Sequence, residues 1–104
     1  MQLYTINATP ERYDVSDEEN AKRHKTYAIT VSHAFASVGI DGFTIQEVQG
    51  YWQGVPEKSY IITVITDKLS RNVDRVAELL RNRFDQDAVI VTYPDGSVKF
   101  IERP

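Results

Sequence analysis

The chain has 104 residues, 12 basic and 15 acidic side chains, a formal net charge of −3 and no cysteine. One domain's length excludes a two-domain enzyme, and mild acidity argues against generic attraction to nucleic acid or an anionic membrane. Without cysteine there are no disulfides, thiolate metal sites or cysteine nucleophiles.

No apolar run reaches the roughly 18 residues of a membrane span. The opening Met1-Gln-Leu-Tyr-Thr5 has neither a basic region nor an apolar one, so no secretory leader is read. The expectation is a cytoplasmic protein made of one α+β domain, residues 1–104.

Met1–Ala8 alternates Leu3, Thr5 and Asn7 with Gln2, Tyr4 and Ile6, which is a strand period. Pro10 ends it, lacking the N–H that a ladder needs. Ser16-Asp-Glu-Glu19 fits a capping box at the start of a helix. Its three early carboxylates suit the positive end of the helix dipole. Tyr27, Val31, Ala34 and Val38, widened by Ala28 and Phe35, continue one apolar helical stripe. Gly39 then stops the helix. The β-branched Thr26, Ile29, Thr30 and Val31 make a strand at 26–32 the competing assignment.

Gly42–Trp52 reads as a second strand, with Gly50 marking a bulge or a close backbone approach. Gly54-Val-Pro-Glu57 reads as a turn. Ser59–Thr66 is apolar on both faces, as a strand in the middle of a sheet is. Ser70 is expected to cap a helix whose stripe is Val73, Val76, Ala77, Leu80 and Phe84. Arg71, Arg75 and Arg81 fall on its opposite face. Ala88–Tyr93 and Ser97–Glu102 form a hairpin about Pro94-Asp95-Gly96.

The order β-α-β-β-α-β-β predicts a ferredoxin-like split βαβ sandwich, an antiparallel sheet with two helices on one face. The other face then needs a cover, and at this size a second subunit is the natural one. A dimer or trimer is expected.

Tyr51-Trp52-Gln53-Gly54, followed by Glu57 and an Ile-rich strand, resembles the hairpin of CutA-type proteins, related in fold to the PII-type trimers. Gly42-Phe-Thr44, Gly50-Tyr-Trp52, Glu57-Lys-Ser59 and Phe84-Asp-Gln86 together resemble a bacterial family of unknown function. Both resemblances imply a ferredoxin-like fold and assembly through sheet edges. Neither implies a catalytic residue.

His24 and His33 lie nine residues apart, on opposite sides of one helix, and cannot share a metal. No nucleophile elbow, phosphate loop or dinucleotide fingerprint is present. The strand Lys58–Ile65 lacks the aromatic pattern of an RNA-recognition motif. The expected site is therefore the aromatic hairpin. Tyr51, Trp52, Gln53, Glu57, Lys58 and Tyr60 offer aromatic faces, an amide and opposite charges suited to a planar ligand.

These residues predict a non-enzymatic, homo-oligomeric module that captures a small ligand such as a nucleotide at an intersubunit cleft. No catalytic residue, metal or cofactor is assigned. The competing reading is a protein-interaction or inhibitor module docking a partner protein through the open sheet face and the hairpin. A small enzyme ranks third.

Overall fold

In a computed structural model describing Met1–Arg103, with the side chain of Trp52 excepted, the alternating N-terminus forms strand β1, Gln2–Ala8. Next come helices α1 (Asp17–Lys25) and α2 (Tyr27–Ser37), then strands β2 (Thr44–Trp52) and β3 (Val55–Thr66). Helix α3 (Ser70–Phe84) precedes strands β4 (Ala88–Thr92) and β5 (Val98–Glu102).

The strands form one sheet in the order β2-β3-β1-β4-β5, and all four pairings are antiparallel. The first four strands thus have the ferredoxin-like order, and β5 extends the edge. β3 is an inner strand, but β1 holds the centre.

The pleat assigns each residue to a face. Tyr4, Ile6, Ala8, Ile62, Val64, Val89, Val91 and Ile101 point under the helices and form the core with Tyr27, Val31, Phe35, Val73, Val76, Leu80 and Phe84. The opposite face is open. Leu3 pairs with Ile65 there, and Val98 and Phe100 lie on the same side, all four about half exposed.

The single long helix expected from Ser16 to Val38 is instead two. Ser16 does cap α1, its side chain accepting from the Glu19 N–H at 3.1 Å. The first segment then stops at Thr26, whose backbone N–H turns back to the His24 carbonyl. α1 buries no residue, whereas α2 buries Tyr27, Val31, Ala34 and Phe35. A bend lets the charged segment stay in water while the apolar segment lies on the sheet. Ala28, assigned to the stripe, is exposed. Residues 27–37 are helical rather than strand.

Other expectations shift for local reasons. Leu69, not Ser70, occupies the cap position of α3, and no side chain caps it. Arg81, placed on the exposed face, is 8% exposed. Its guanidinium reaches the Gln86 carbonyl and the Asn82 side chain. The turn read at Gly54–Glu57 is two residues long, Gln53 and Gly54, with φ of 51° and 79°. Two positive values are the signature of a type I′ hairpin, whose twist matches the flanking strands. Val55, Pro56 and Glu57 therefore belong to β3, which extends past β1. Pro56 is tolerated because that stretch has only one neighbouring strand.

The connector between β1 and α1 is strapped to the end of α3. Arg12 pairs with Asp14 at 2.7 Å and Asp85 at 3.0 Å. Arg23 donates to the Pro10 and Phe84 carbonyls. The Gln86 amide donates to the Glu11 and Phe84 carbonyls, each at 3.0 Å. Its hydrogen bond with Arg103, above all, holds the Asp85 carboxyl below the usual carboxylate range. These bonds fix the backbone of Glu11, a residue the site uses.

Candidate functional site

The β2–β3 ladder runs without a bulge from Thr44↔Thr63 to Trp52↔Val55. Gly50 is therefore the close approach rather than the bulge. A Cβ built on it would lie 3.0 Å from the Ser59 hydroxyl oxygen. Gly50 pairs with Glu57, and Ser59 donates to Glu57 Oε1 at 3.3 Å. The missing side chain at Gly50 gives the Ser59 hydroxyl room to hold the Glu57 carboxylate beside the hairpin end.

The six nominated residues do not all meet. Tyr51, Lys58 and Tyr60 share the helix-bearing face by strand alternation, while Glu57 lies on the open face. Gln53 sits in the turn. Trp52 pairs with Val55, and its side chain lies outside the described ones. Tyr51 is largely exposed. Tyr60 is drawn inward, four ladder steps from Tyr51, and stacks on Tyr27 with ring centroids 4.5 Å apart and planes at 23°. The compact aromatic cluster expected at the turn is thus divided.

A cleft of about 380 Å³ lies at this end of the sheet, lined by Glu11, Glu47, Val48, Gln49, Pro56, Glu57 and Lys58. Three carboxylates against one ammonium give it a negative lining. Lys58 Nζ is 3.6 Å from Glu47 Oε1, with both side chains about half exposed. The Thr9 hydroxyl donates to the Lys58 carbonyl at 2.7 Å and ties the connector to the hairpin.

Sequence reasoning missed Glu11 and His24, and named Glu47 only as a carboxylate that, like Glu57, would favour the enzyme reading. His24 was set aside with His33 because no second metal ligand was in reach. His33 is exposed, but His24 is engaged at both ring nitrogens. Its Nε2 is 2.7 Å from Glu11 Oε1, and its Nδ1 is 3.0 Å from the Tyr60 hydroxyl. Period-two alternation does place Glu47 and Tyr60 on one face once the register is known. Glu11 carries no such signal, since it lies in an irregular connector. Burial first, and then the charges of Glu47 and Glu11, raise the Tyr60 phenol above its ordinary value.

A larger cleft of about 720 Å³ lies at the other end of the sheet, among residues of Met1–Tyr4, Asp67–Ser70 and Tyr93–Ser97. Its ion pair, the Met1 ammonium with Asp67 at 3.2 Å, is largely exposed. The lining of that cleft is hydrogen-bonded as well, Tyr4 donating to Gln2 at 3.3 Å and Ser97 to Asp95 at 2.6 Å; the smaller cleft differs in gathering three carboxylates. Among the described residues no cluster of three or more His, Asp or Glu suits a metal ion. No described helix is long and apolar enough to cross a membrane.

An α+β sandwich with a polar cleft at one hairpin end is the class that fold and site define. The family model of the S-adenosylmethionine lyases matches residues 6–103. The chain belongs to that family. Among solved structures, a phage SAM lyase in complex with S-methyl-5'-thioadenosine matches with a TM-score of 0.63 at 21% identity, covering 97% of this chain and 88% of that one. A phage SAM lyase in the apo state matches with a TM-score of 0.65 at 22% identity, with the same coverages. At these identities the likeness establishes a common fold. No curated protein gives a significant match.

The family match overturns several expectations. The resemblances to CutA and PII-type proteins and to a family of unknown function do not hold; they rested on a few short patterns, from Gly42-Phe-Thr44 to Phe84-Asp-Gln86, and on a topology that many ferredoxin-like proteins share. The non-enzymatic binding module falls with them, as does the alternative of a protein-docking or inhibitor module, because the family is one of enzymes.

Proposed function

We propose that this chain cleaves S-adenosylmethionine and does so at the hairpin-end cleft. The observation that carries the reading is the family match over residues 6–103. The S-methyl-5'-thioadenosine bound to the related phage enzyme supports it. That compound is what remains of S-adenosylmethionine when the bond from sulfur to its aminobutyrate arm breaks.

The charge change in that step tells where each residue type belongs. The electron pair of the broken bond stays on sulfur, so the cationic sulfonium becomes a neutral thioether, while an oxygen of the arm's own carboxylate takes sulfur's place on carbon and closes a lactone, with no co-reactant needed. A carboxylate against sulfur would stabilise the ground state more than the transition state, and so would slow the cleavage. The carboxylates of the cleft are better matched to the groups that keep their character, the ribose hydroxyls and the α-ammonium. Glu57, held by Ser59 beside Gly50, reaches the same cleft from the open face of the hairpin, where Glu47 and Lys58 line it from the helix-bearing face, and is assigned to the ribose hydroxyls. Lys58 and Glu47 form a charge pair that suits the carboxylate and ammonium of the amino-acid arm. Tyr51 offers an exposed ring for the adenine face, and Gln53 an amide for its edge. With this activity the chain is an enzyme, and S-adenosylmethionine is its substrate.

The open sheet face supports a homo-oligomer as the working form. Leu3, Ile65, Val98 and Phe100 expose apolar surface there, and a second copy would cover it. The cytoplasm, where the substrate is made, is the proposed location.

The test is direct. Purified protein is incubated with S-adenosylmethionine, and S-methyl-5'-thioadenosine is quantified by chromatography. Glu57→Gln is expected to lower kcat/KM about 10- to 100-fold, the worth of one charge-assisted hydrogen bond. Folded wild-type protein that forms no thioether above the blank would refute the reading.

A further inference from the structure

Helix α1 buries no residue, so the apolar core does not account for how its last turn is placed. Three of its residues, Asn20, Arg23 and His24, are half-buried, and the His24 side chain is 13% exposed. It stands between a cleft-lining carboxylate, Glu11, and the hydroxyl of Tyr60.

The proton inventory orients this chain. An ionised Glu11 only accepts, so His24 donates from Nε2. In the tautomer with its hydrogen on Nε2, the imidazole has its lone pair on Nδ1 and accepts the Tyr60 O–H at 3.0 Å. The Tyr60 oxygen keeps lone pairs but has no hydrogen left to offer. Tyr60 is Glu47's partner across the β2–β3 ladder, so opposed side chains there lie about 4.5–5.5 Å apart at Cβ. Its ring is clasped by Tyr27 at 4.5 Å and tilted against His24 at 5.7 Å. It has little freedom to turn its oxygen elsewhere.

We propose that His24 is a positioning residue, which fixes the Tyr60 oxygen as an acceptor beside Glu47 for the α-ammonium of the substrate's amino-acid arm. This rests on the reading of the hairpin-end cleft as the substrate site. An oxygen already committed as a donor to His24 suits a ligand group that only donates, and an ammonium has three such hydrogens. Lys58, the nearby cation, pairs with Glu47 from a half-exposed position, from which it can swing to the substrate's carboxylate. The charged and titratable groups facing the chain are therefore Glu11, Glu47, Lys58 and Tyr27.

The experiment uses two probes that differ in the arm. S-adenosylhomocysteine carries the α-ammonium but has no sulfonium to cleave; S-methyl-5'-thioadenosine lacks the arm altogether. Titration calorimetry of both is carried out on wild type, His24→Phe, Tyr60→Phe and the double variant, with His24→Gln as the conservative replacement. His24→Phe and Tyr60→Phe are each expected to weaken S-adenosylhomocysteine about tenfold, one hydrogen bond to a charged group. S-methyl-5'-thioadenosine should change less than about twofold. The double variant should be no worse than either single one, since both break one chain. His24→Gln, able to donate to Glu11 and accept from Tyr60, should recover affinity to within about threefold of wild type.

Equal weakening of both probes would show a merely structural role and overturn the proposal, as would additive losses in the double variant. Binding is scored separately from turnover. A wild type that shows the expected probe discrimination yet forms no thioether would sink the lyase reading and leave the positioning chain standing. A wild type that turns over substrate while His24→Phe weakens neither probe would do the reverse.

Discussion

Replacing Tyr27 by Phe removes one hydroxyl from a closed position in the core. Tyr27 is 1% exposed, and among the described residues its hydroxyl has no hydrogen-bond partner. The ring itself is well used, stacked on Tyr60 and tilted against Phe84 at 5.1 Å. Phe keeps these contacts. Leaving a buried donor unsatisfied costs about 1–3 kcal/mol. The void left by the hydroxyl, roughly 10–15 Å³, costs only about 0.2–0.4 kcal/mol at ~24 cal/mol per Å³. Tyr27→Phe should therefore stabilise the protein by about 0.6–2.8 kcal/mol near neutral pH.

The same site sets an alkaline dependence. Burial first, and then the neighbouring Tyr60, raise the Tyr27 phenol above its ordinary value. The contribution of the neutral phenol is intact below the unfolded value of about 10 and is lost as pH climbs from there toward the folded one. Above pH ~10 the unfolded chain releases a proton that the folded chain keeps, at up to about 1.4 kcal/mol per pH unit. Urea titrations at pH 8 and pH 11 should show wild type losing about 1.4 kcal/mol more than Tyr27→Phe over that span. Tyr60 and Tyr93 are raised as well, so the variant keeps part of the slope. A variant less stable than wild type at pH 8 would refute the reasoning, since the hydroxyl would then have a partner to lose.

Three further outcomes are expected. Leu80→Ala, in the core under the sheet, should cost about 2–5 kcal/mol in urea titration, while Arg75→Ala on the wet side of α3 should stay within about 0.5 kcal/mol; equal losses would contradict the helix register. Gly50→Ala should push the Ser59 hydroxyl off Glu57, lowering kcat/KM about tenfold, the value of one hydrogen bond to a charged group, with circular dichroism unchanged; full activity would show that the close approach has no role. Sedimentation at micromolar concentration should give a multiple of 11.9 kDa, and a single species at that mass would leave the open apolar face without its proposed cover.

The topology of this chain was legible because its strongest signals are periodic. Alternation in Gln2–Ala8, the stripe from Val73 to Phe84, and the paired turns about Gly54 and Gly96 follow from backbone geometry that local sequence controls. Element ends were less so. Whether Val55–Glu57 is turn or strand depends on Gln53 adopting a positive φ, a choice made by the twist of the paired strands. The break at Thr26 and the burial of Arg81 likewise come from what packs against each helix.

The site was legible only in part. Tyr51, Glu57 and Lys58 stood out through residue type at one hairpin, and the elements at Gly50, Glu57 and Ser59 were noticed without a reason for their spacing. The ladder supplies that reason, since pairing puts the glycine opposite Glu57 and makes room for the Ser59 hydroxyl. Glu11, His24 and Tyr60 are far apart in the chain and share no period. Only the folding of an irregular connector and a bent helix over the third strand brings their side chains within hydrogen-bond distance. Hydrogen bonds act over about 3 Å, and sequence spacing carries no information at that length for residues held by different elements.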